Sequence, residues 1–188
     1  MSSPFDPLEA ALDFAAALEA RGVDYAIGGA LALSIWSEPR MTSDVDVNVF
    51  VEPDRLDPVF DAIETVGAVV DRVVARRHAE DRGMFIARWP SLHPLDVFTP
   101  SIELSYEAAR TRVRRRIDER EAWFLSAEAI ALFKLLFFRG KDRVDVERLV
   151  QVRPQLDRGY VRQQLVANVG DDDERVDFWD QIVARHPS

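Results

Sequence analysis

Two aspartates, Asp44 and Asp46, lie in a segment that alternates strictly, with Asp44, Asp46 and Asn48 set against Val45, Val47, Val49 and Val51. In an extended strand, residues i and i+2 share a face, so both carboxylates point the same way, about 6 to 7 Å apart at their Cβ atoms. Uncompensated carboxylates held together are costly. Divalent cations with oxygen preference relieve that cost, and Mg²⁺ commonly binds through one or two carboxylates plus substrate phosphates. The pair is therefore suited to a metal–nucleotide site. The plainer alternative is a strand whose polar face simply meets water.

Two features elsewhere add weight. Gly28-Gly29 lacks side chains, which lets backbone N–H groups and a helix N-terminus approach a phosphate. Asp96 lies in the strand-like run His93-Pro94-Leu95-Asp96-Val97-Phe98, whose apolar neighbours imply burial beside the first strand, and a buried aspartate needs a partner. Its expected role is to share a metal with Asp44 and Asp46 and to help deprotonate an attacking hydroxyl, as in two-metal displacement at phosphorus. The alternative is a turn aspartate bonded to the backbone.

These residues need a scaffold, and the pattern supplies one. Leu8 to Glu19 repeats apolar residues at helical spacing, Val23 to Ile27 reads as a short strand, and Ala30 to Trp36 as a helix. Asp44 to Val51 is a strand, Pro53 to Val66 and Asp71 to His78 are helical, and Gly83 to Trp89 and Pro94 to Thr99 are strands. A strand pair is expected across Arg112 to Leu125, then helices at Ala127 to Phe138, Asp142 to Val152, Tyr160 to Val169 and Asp172 to Ala184. The fold class is α+β, a mixed sheet flanked by helices. A soft boundary near residue 100 separates a catalytic core (1–100) from a mainly helical part (101–188). The tryptophan and phenylalanine residues, including Trp36, Trp89, Trp123, Phe133, Phe137 and Phe138, are expected in the core.

Composition narrows the function. The 188 residues are 47% hydrophobic, enough for a real core, and contain no cysteine. A thiol nucleophile, a disulfide framework and a cysteine-ligated zinc are excluded, and a cytoplasmic setting is expected. The first residues, MSSPFDPLEA, do not resemble a secretory signal, and the apolar run Ala129 to Phe138 is interrupted by Lys134 and falls short of the roughly 20 residues of a membrane span. A formal charge of −9 argues against a broad nucleic-acid surface. A local basic run remains in Arg110, Arg112, Arg114, Arg115, Arg116 and Arg120, diluted by Asp118, Glu119 and Glu121. His78, His93 and His186 are isolated and show no metal-ligand spacing.

Taken in order, Gly28-Gly29, Asp44-x-Asp46 and Asp96 resemble the nucleotidyltransferase superfamily with the DNA polymerase beta-type catalytic fold. The stretch GGALALSIWSEPRMTSDVDVNVFV and the later FLSAEAIALFKLLFFRGKDRVDVERLV resemble its abortive-infection toxin branch, whose members often have an adjacent antitoxin. The resemblance covers roughly residues 23 to 152. One departure is the gap of 14 residues between Gly29 and Asp44, slightly longer than usual.

The resemblance implies that Gly28 and Gly29 bind the triphosphate of an NTP such as ATP, and that Asp44 and Asp46 ligate two Mg²⁺ ions, with Mn²⁺ as a substitute. Asp96 would complete one metal site and act as base. Lys134 would reach a phosphate; within its apolar helix it otherwise snorkels or pairs with a carboxylate. Arg40, with Thr42 and Ser43 beside the aspartates, would contribute to nucleotide binding. Arg139, Lys141 and Asp142 resemble the branch's Arg-x-Lys-Asp motif, although Asp142 can equally cap a helix with Asp145 in its acidic first turn.

The implied reaction is transfer of a nucleoside monophosphate to the 3′ end of tRNA, as the toxin of a toxin–antitoxin pair. The alternative acceptor is a small hydroxylated molecule such as an aminoglycoside. A metal-dependent glycosyltransferase would also use Asp-x-Asp but leaves Gly28-Gly29 unexplained, and an inactive binding module leaves the three carboxylates unexplained. Thr42 or Ser43 is a candidate regulatory phosphorylation point, because added phosphate there would repel an incoming triphosphate. A mass shift confined to other residues after partner treatment rejects that idea.

Overall fold

The computed structural model describes residues 5–38 and 41–187. Helix α1 (Pro7–Glu19) begins where the Asp6 carboxylate accepts from the N–H groups of Leu8 (2.9 Å) and Glu9 (3.2 Å), with proline at the helix start. Its inward stripe, Ala11, Leu12, Phe14, Ala15 and Leu18, is buried at the spacing of an amphipathic helix. The chain continues through β1 (Tyr25–Ile27), α2 (Gly29–Trp36) and β2 (Val45–Val49), then a 3-10 turn at Pro53–Arg55 and helices α3 (Asp57–Thr65) and α4 (Arg72–Arg82). A hairpin of β3 (Met84–Arg88) and β4 (Pro94–Phe98) follows, then α5 (Glu103–Thr111) and a second hairpin, β5 (Val113–Ile117) and β6 (Arg120–Phe124).

These strands form one mixed sheet in the order β3-β4-β2-β1-β6-β5. Strand β2 runs antiparallel to β1, with Tyr25 opposite Val49, and parallel to β4, with Val45 opposite Leu95 and Asp46 opposite Asp96. Strand β3 pairs antiparallel with β4, and β1 meets β6 in parallel at Ile27 and Phe124. On one face Val45, Val47, Val49, Leu95, Val97, Phe85 and Ala87 are buried. Helix α1 packs on β1, β2 and β6 and against α3, whose Phe60 ring meets Phe85 edge-on at 5.5 Å between centroids. The Tyr25 hydroxyl donates to Glu19 (3.0 Å) and accepts from the Trp123 N–H (3.4 Å), tying α1, β1 and β6 together.

By contacts the chain divides into two compact units, Met1–Ala32 with Arg40–Leu125, and Leu33–Pro39 with Ser126–Ser188. The second holds α6 (Ala127–Phe137), α7 (Gly140–Val152), α8 (Arg158–Val169) and α9 (Glu174–Arg185). Ser126, Asp157 and Asp173 cap three of these, each accepting a first-turn N–H at 3.1, 2.9 and 2.9 Å. Helix α6 packs on α7 and α8, and α9 on α7 and α8, burying Leu135, Val146, Leu149, Val161, Leu165, Val176, Trp179 and Ile182. Among the described residues no helix is long and apolar enough to cross a membrane.

Most expected elements occur with ends shifted by a few residues, inward for some and outward for others such as α4, α7 and α8, and three details differ. Helix α5 was not expected; only Leu104, Ser105 and Ala108 of it are buried, too sparse a stripe to show as periodicity. The expected helix over 53–66 is split, because Leu56 ends the 3-10 turn before α3 begins. Phe137, expected in the core, is 52% exposed at the end of α6 with the Arg139 guanidinium over its ring at 5.0 Å.

Candidate active site

Strand β2 presents Asp46 and Asn48 on the face opposite its buried valines, and Asp44 leads into the strand on the same side. Asp96 is the register partner of Asp46 on the adjoining strand, so the two residues are neighbours about 4.8 Å apart across the ladder with side chains on one face. Both are half-buried. Asp44 is held by its own turn: its N–H donates to Thr42 Oγ1 (3.2 Å), and Ser43 Oγ donates to Asp44 Oδ1 (3.0 Å). Thr42 and Ser43 thus shape the entry to β2.

Gly28 and Gly29 close the other side. The Gly28 N–H donates to the Asp46 carbonyl oxygen at 2.8 Å, and its carbonyl accepts the first helical bond of α2, from Ala32 at 3.0 Å. A Cβ on Gly28 would lie 2.8 Å from Asn48 Nδ2, a residue that sequence reasoning placed on the aspartate face but gave no role. Gly29 is more constrained. Its φ of +55° is a left-handed conformation, and a Cβ there would lie 1.9 Å from Asp46 Oδ2. The carboxylate of Asp46 therefore rests against the backbone that opens α2, where helix N–H groups and the dipole favour negative charge.

Among the described residues, no three His, Cys, Asp or Glu side chains gather into a group able to hold a metal ion by themselves. Magnesium needs fewer protein ligands: it keeps several waters and binds through one or two carboxylates plus substrate phosphates. The all-oxygen set of Asp44, Asp46 and Asp96, beside a helix start stripped of side chains at Gly28 and Gly29, fits an ion that arrives with a nucleotide. His93 stacks on Phe5 at 4.0 Å and bonds Ser91 through Nδ1 at 3.0 Å. His186 lies 3.6 Å from Glu147. Arg40 lies outside the described residues.

Lys134 belongs to the second unit. It is buried on α6, with Nζ 2.7 Å from Asp145 Oδ2 and 3.5 Å from Asp142 Oδ1 of α7. Asp142 stands at the third position of α7, not at its cap, and accepts from the Arg139 backbone N–H (3.2 Å) and Nε (2.6 Å). Burial works to raise the Asp142 carboxyl, but the Arg139 hydrogen bond and the Lys134 and Arg139 charges outweigh it and hold it below the usual carboxylate range. Because its folded value is depressed, its stabilising contribution is complete at neutral pH and is lost as pH falls through that value.

Three outcomes are expected. Gly29→Ala should lower the urea midpoint, since the methyl group must displace the Asp46 carboxylate; a denaturation curve reads the shift. Lys134→Met should cost about 3 to 5 kcal/mol, as for a buried ion pair that loses one partner. The stability deficit of Asp142→Asn relative to the native protein should shrink as pH drops below about 4, measured by urea denaturation at stepped pH.

No family model matches the chain, and no curated protein matches it. Solved structures do resemble it. The solution structure of the antibiotic-resistance factor ANT(2″)-Ia is 18% identical, with a TM-score of 0.63 over 97% of this chain and 100% of that one. The crystal structure of ANT(2″)-Ia in complex with adenylyl-2″-tobramycin is 16% identical, with a TM-score of 0.55 over 96% and 99% of the two chains. The lincomycin-bound lincosamide antibiotic adenylyltransferase LnuA is 17% identical, with a TM-score of 0.50 over 78% of this chain and 96% of that one. The chain has the nucleotidyltransferase fold.

Proposed function

We propose that this protein is a Mg²⁺-dependent nucleotidyltransferase that moves a nucleoside monophosphate from an NTP such as ATP to a hydroxyl of a small molecule. The observation that carries the reading is the register pairing of Asp46 with Asp96, with Asp46 seated against Gly29 at the start of α2. Asp44, Asp46 and Asp96 would hold the ions, which when bound supply charge neutralisation and Lewis acidity at the phosphates. The start of α2 orients the triphosphate. Asp96 takes the proton of the acceptor hydroxyl as its oxygen bonds to the α-phosphorus and the bond to pyrophosphate breaks, releasing pyrophosphate. Lys134, engaged by two carboxylates of α7, has no step in this scheme.

A small acceptor is supported by the fold shared with proteins whose structures hold adenylyl-2″-tobramycin and lincomycin. The arginine run also supports it, because most of its charges are matched. Arg110 pairs with Glu103 and Glu107, Arg112 with Asp24, and Arg114 with Glu121. Arg116 pairs with Glu119, and Arg120 with Glu9 and Asp13. A surface meant for an RNA backbone would keep such cations for phosphates.

The test is Mg²⁺-dependent transfer of label from α-³²P ATP, with lincomycin, tobramycin and total tRNA offered as separate acceptors. Asp46→Asn should reduce transfer roughly 10³-fold, about 4 kcal/mol of transition-state stabilisation, while unfolding remains cooperative. Label on tRNA alone would return the acceptor to an RNA 3′ end and revive the toxin reading. Equal labelling by native and Asp46→Asn protein would remove the proposed chemistry.

A further inference from the structure

The register that pairs Asp46 with Asp96 continues one strand further, because Asp96 is in turn opposite Ile86 of β3. Residues directly opposite each other share a face. The burial pattern agrees: Phe85 and Ala87 are buried with Leu95 and Val97, so Met84, Ile86 and Arg88 belong to the aspartate face. A single row across the sheet therefore reads Gly28–Gly29, Asp46, Asp96, Ile86. Ile86 is 46% exposed, a large apolar side chain in the strand next to a carboxylate.

Resting on the nucleotidyltransferase reading, we infer that the outward face of β3, centred on Ile86 and Arg88, is the acceptor subsite and takes a hydroxyl flanked by an apolar group, on a molecule that is not a polycation. The argument is geometric. In-line displacement places the entering hydroxyl and the departing pyrophosphate on opposite sides of the α-phosphorus. The triphosphate lies toward Gly29 and the start of α2, at the β1 end of the row. The hydroxyl therefore enters from the other end, past Asp96, where β3 is the next strand out.

The chemistry of that end is specific. Ile86 offers an apolar wall beside the base. Arg88, two residues along on the same face, offers a fixed cation whose Nη1 donates to the Leu92 carbonyl at 3.3 Å. Leu92, at the turn joining β3 to β4, is 75% exposed with a φ of +68°, a conformation that costs a bulky residue energy. An added strand is not the occupant at this end, because Val69 already exchanges backbone hydrogen bonds with Arg88 at 2.8 and 3.0 Å. At the β3 end of the row, beyond the carboxylates that the ions would neutralise, an apolar wall with a cation favours a neutral or singly charged sugar derivative over a molecule bearing many ammonium groups.

The experiment measures KM and kcat for lincomycin, which carries one amine and alkyl groups, and for the polyamine tobramycin, using native protein, Ile86→Ser, Arg88→Glu and Asp46→Asn. Lincomycin is expected to be the better acceptor of native protein. Ile86→Ser should raise its KM about tenfold, as expected when one apolar contact is lost, with the KM for ATP and the urea midpoint unchanged. Arg88→Glu should shift the ranking toward tobramycin. In parallel, the Ile86 and Met84 methyl NMR signals should move when lincomycin is added with Mg²⁺ and a non-hydrolysable ATP analogue.

Unchanged acceptor KM values and ranking in both β3 variants, with transfer abolished by Asp46→Asn, would overturn the subsite and leave the reaction standing. Native preference for tobramycin or for tRNA, or methyl signals that stay in place, would overturn it as well. Failure of native protein to bind or turn over ATP would overturn the underlying reaction and the subsite with it.

Discussion

Strand β2 has to satisfy two incompatible surroundings with five residues. Its valines are almost completely buried beneath the helices, and the residues between them carry carboxylate and amide groups half open to solvent. Only the period of two makes this workable, and a slip of one residue would turn the aspartates into the core and the valines out. The cost of that error, several buried charges without partners, is far larger than any single contact that holds the strand. The register of β1 and β4 against β2, and with it the neighbourhood of Asp46 and Asp96, follows from where the valines must go.

The second unit solves a different problem. Lys134 sits in a helix that is otherwise apolar, and two carboxylates of α7 converge on its ammonium group while Arg139 supports one of them. A buried ion pair seldom gains much over a hydrophobic replacement, yet it penalises loss of either member heavily. The network ties α6 to α7, because the cation buried on α6 meets two carboxylates of α7. The left-handed Phe138, with a φ of +53°, ends α6 just before this arrangement.

Much of the fold was legible because its signals are local. The alternation at 45–49, the glycine pair and the Arg112–Leu125 strand pair all announce themselves within a few residues. What was hidden is non-local or sparse. Asp96 was expected beside the first strand, but no pattern in the chain says that it falls opposite Asp46, or that Ile86 continues the row. The partners of Lys134 lie 8 and 11 residues away on the next helix, within sight of the sequence only if the turn between α6 and α7 is known. Helix α5 escaped because so little of it is buried, and the cap offered as the alternative role of Asp142 is the position that Arg139 holds.

The parallel pairing of β2 with β4 has one more consequence, for how such a chain can change over evolution. Two parallel neighbours cannot be joined by a tight turn, so the chain between Asp46 and Asp96 must leave the sheet and return, here through α3, α4 and β3. The length of that excursion is unconstrained by the geometry it serves. Loop closure grows only slowly more expensive with each added residue, whereas one residue gained or lost inside β2 or β4 displaces a carboxylate to the wrong face. Insertions and deletions are therefore tolerated in the loops of that excursion and excluded around the acids, so relatives can drift apart in motif spacing while the distance across the ladder stays the same.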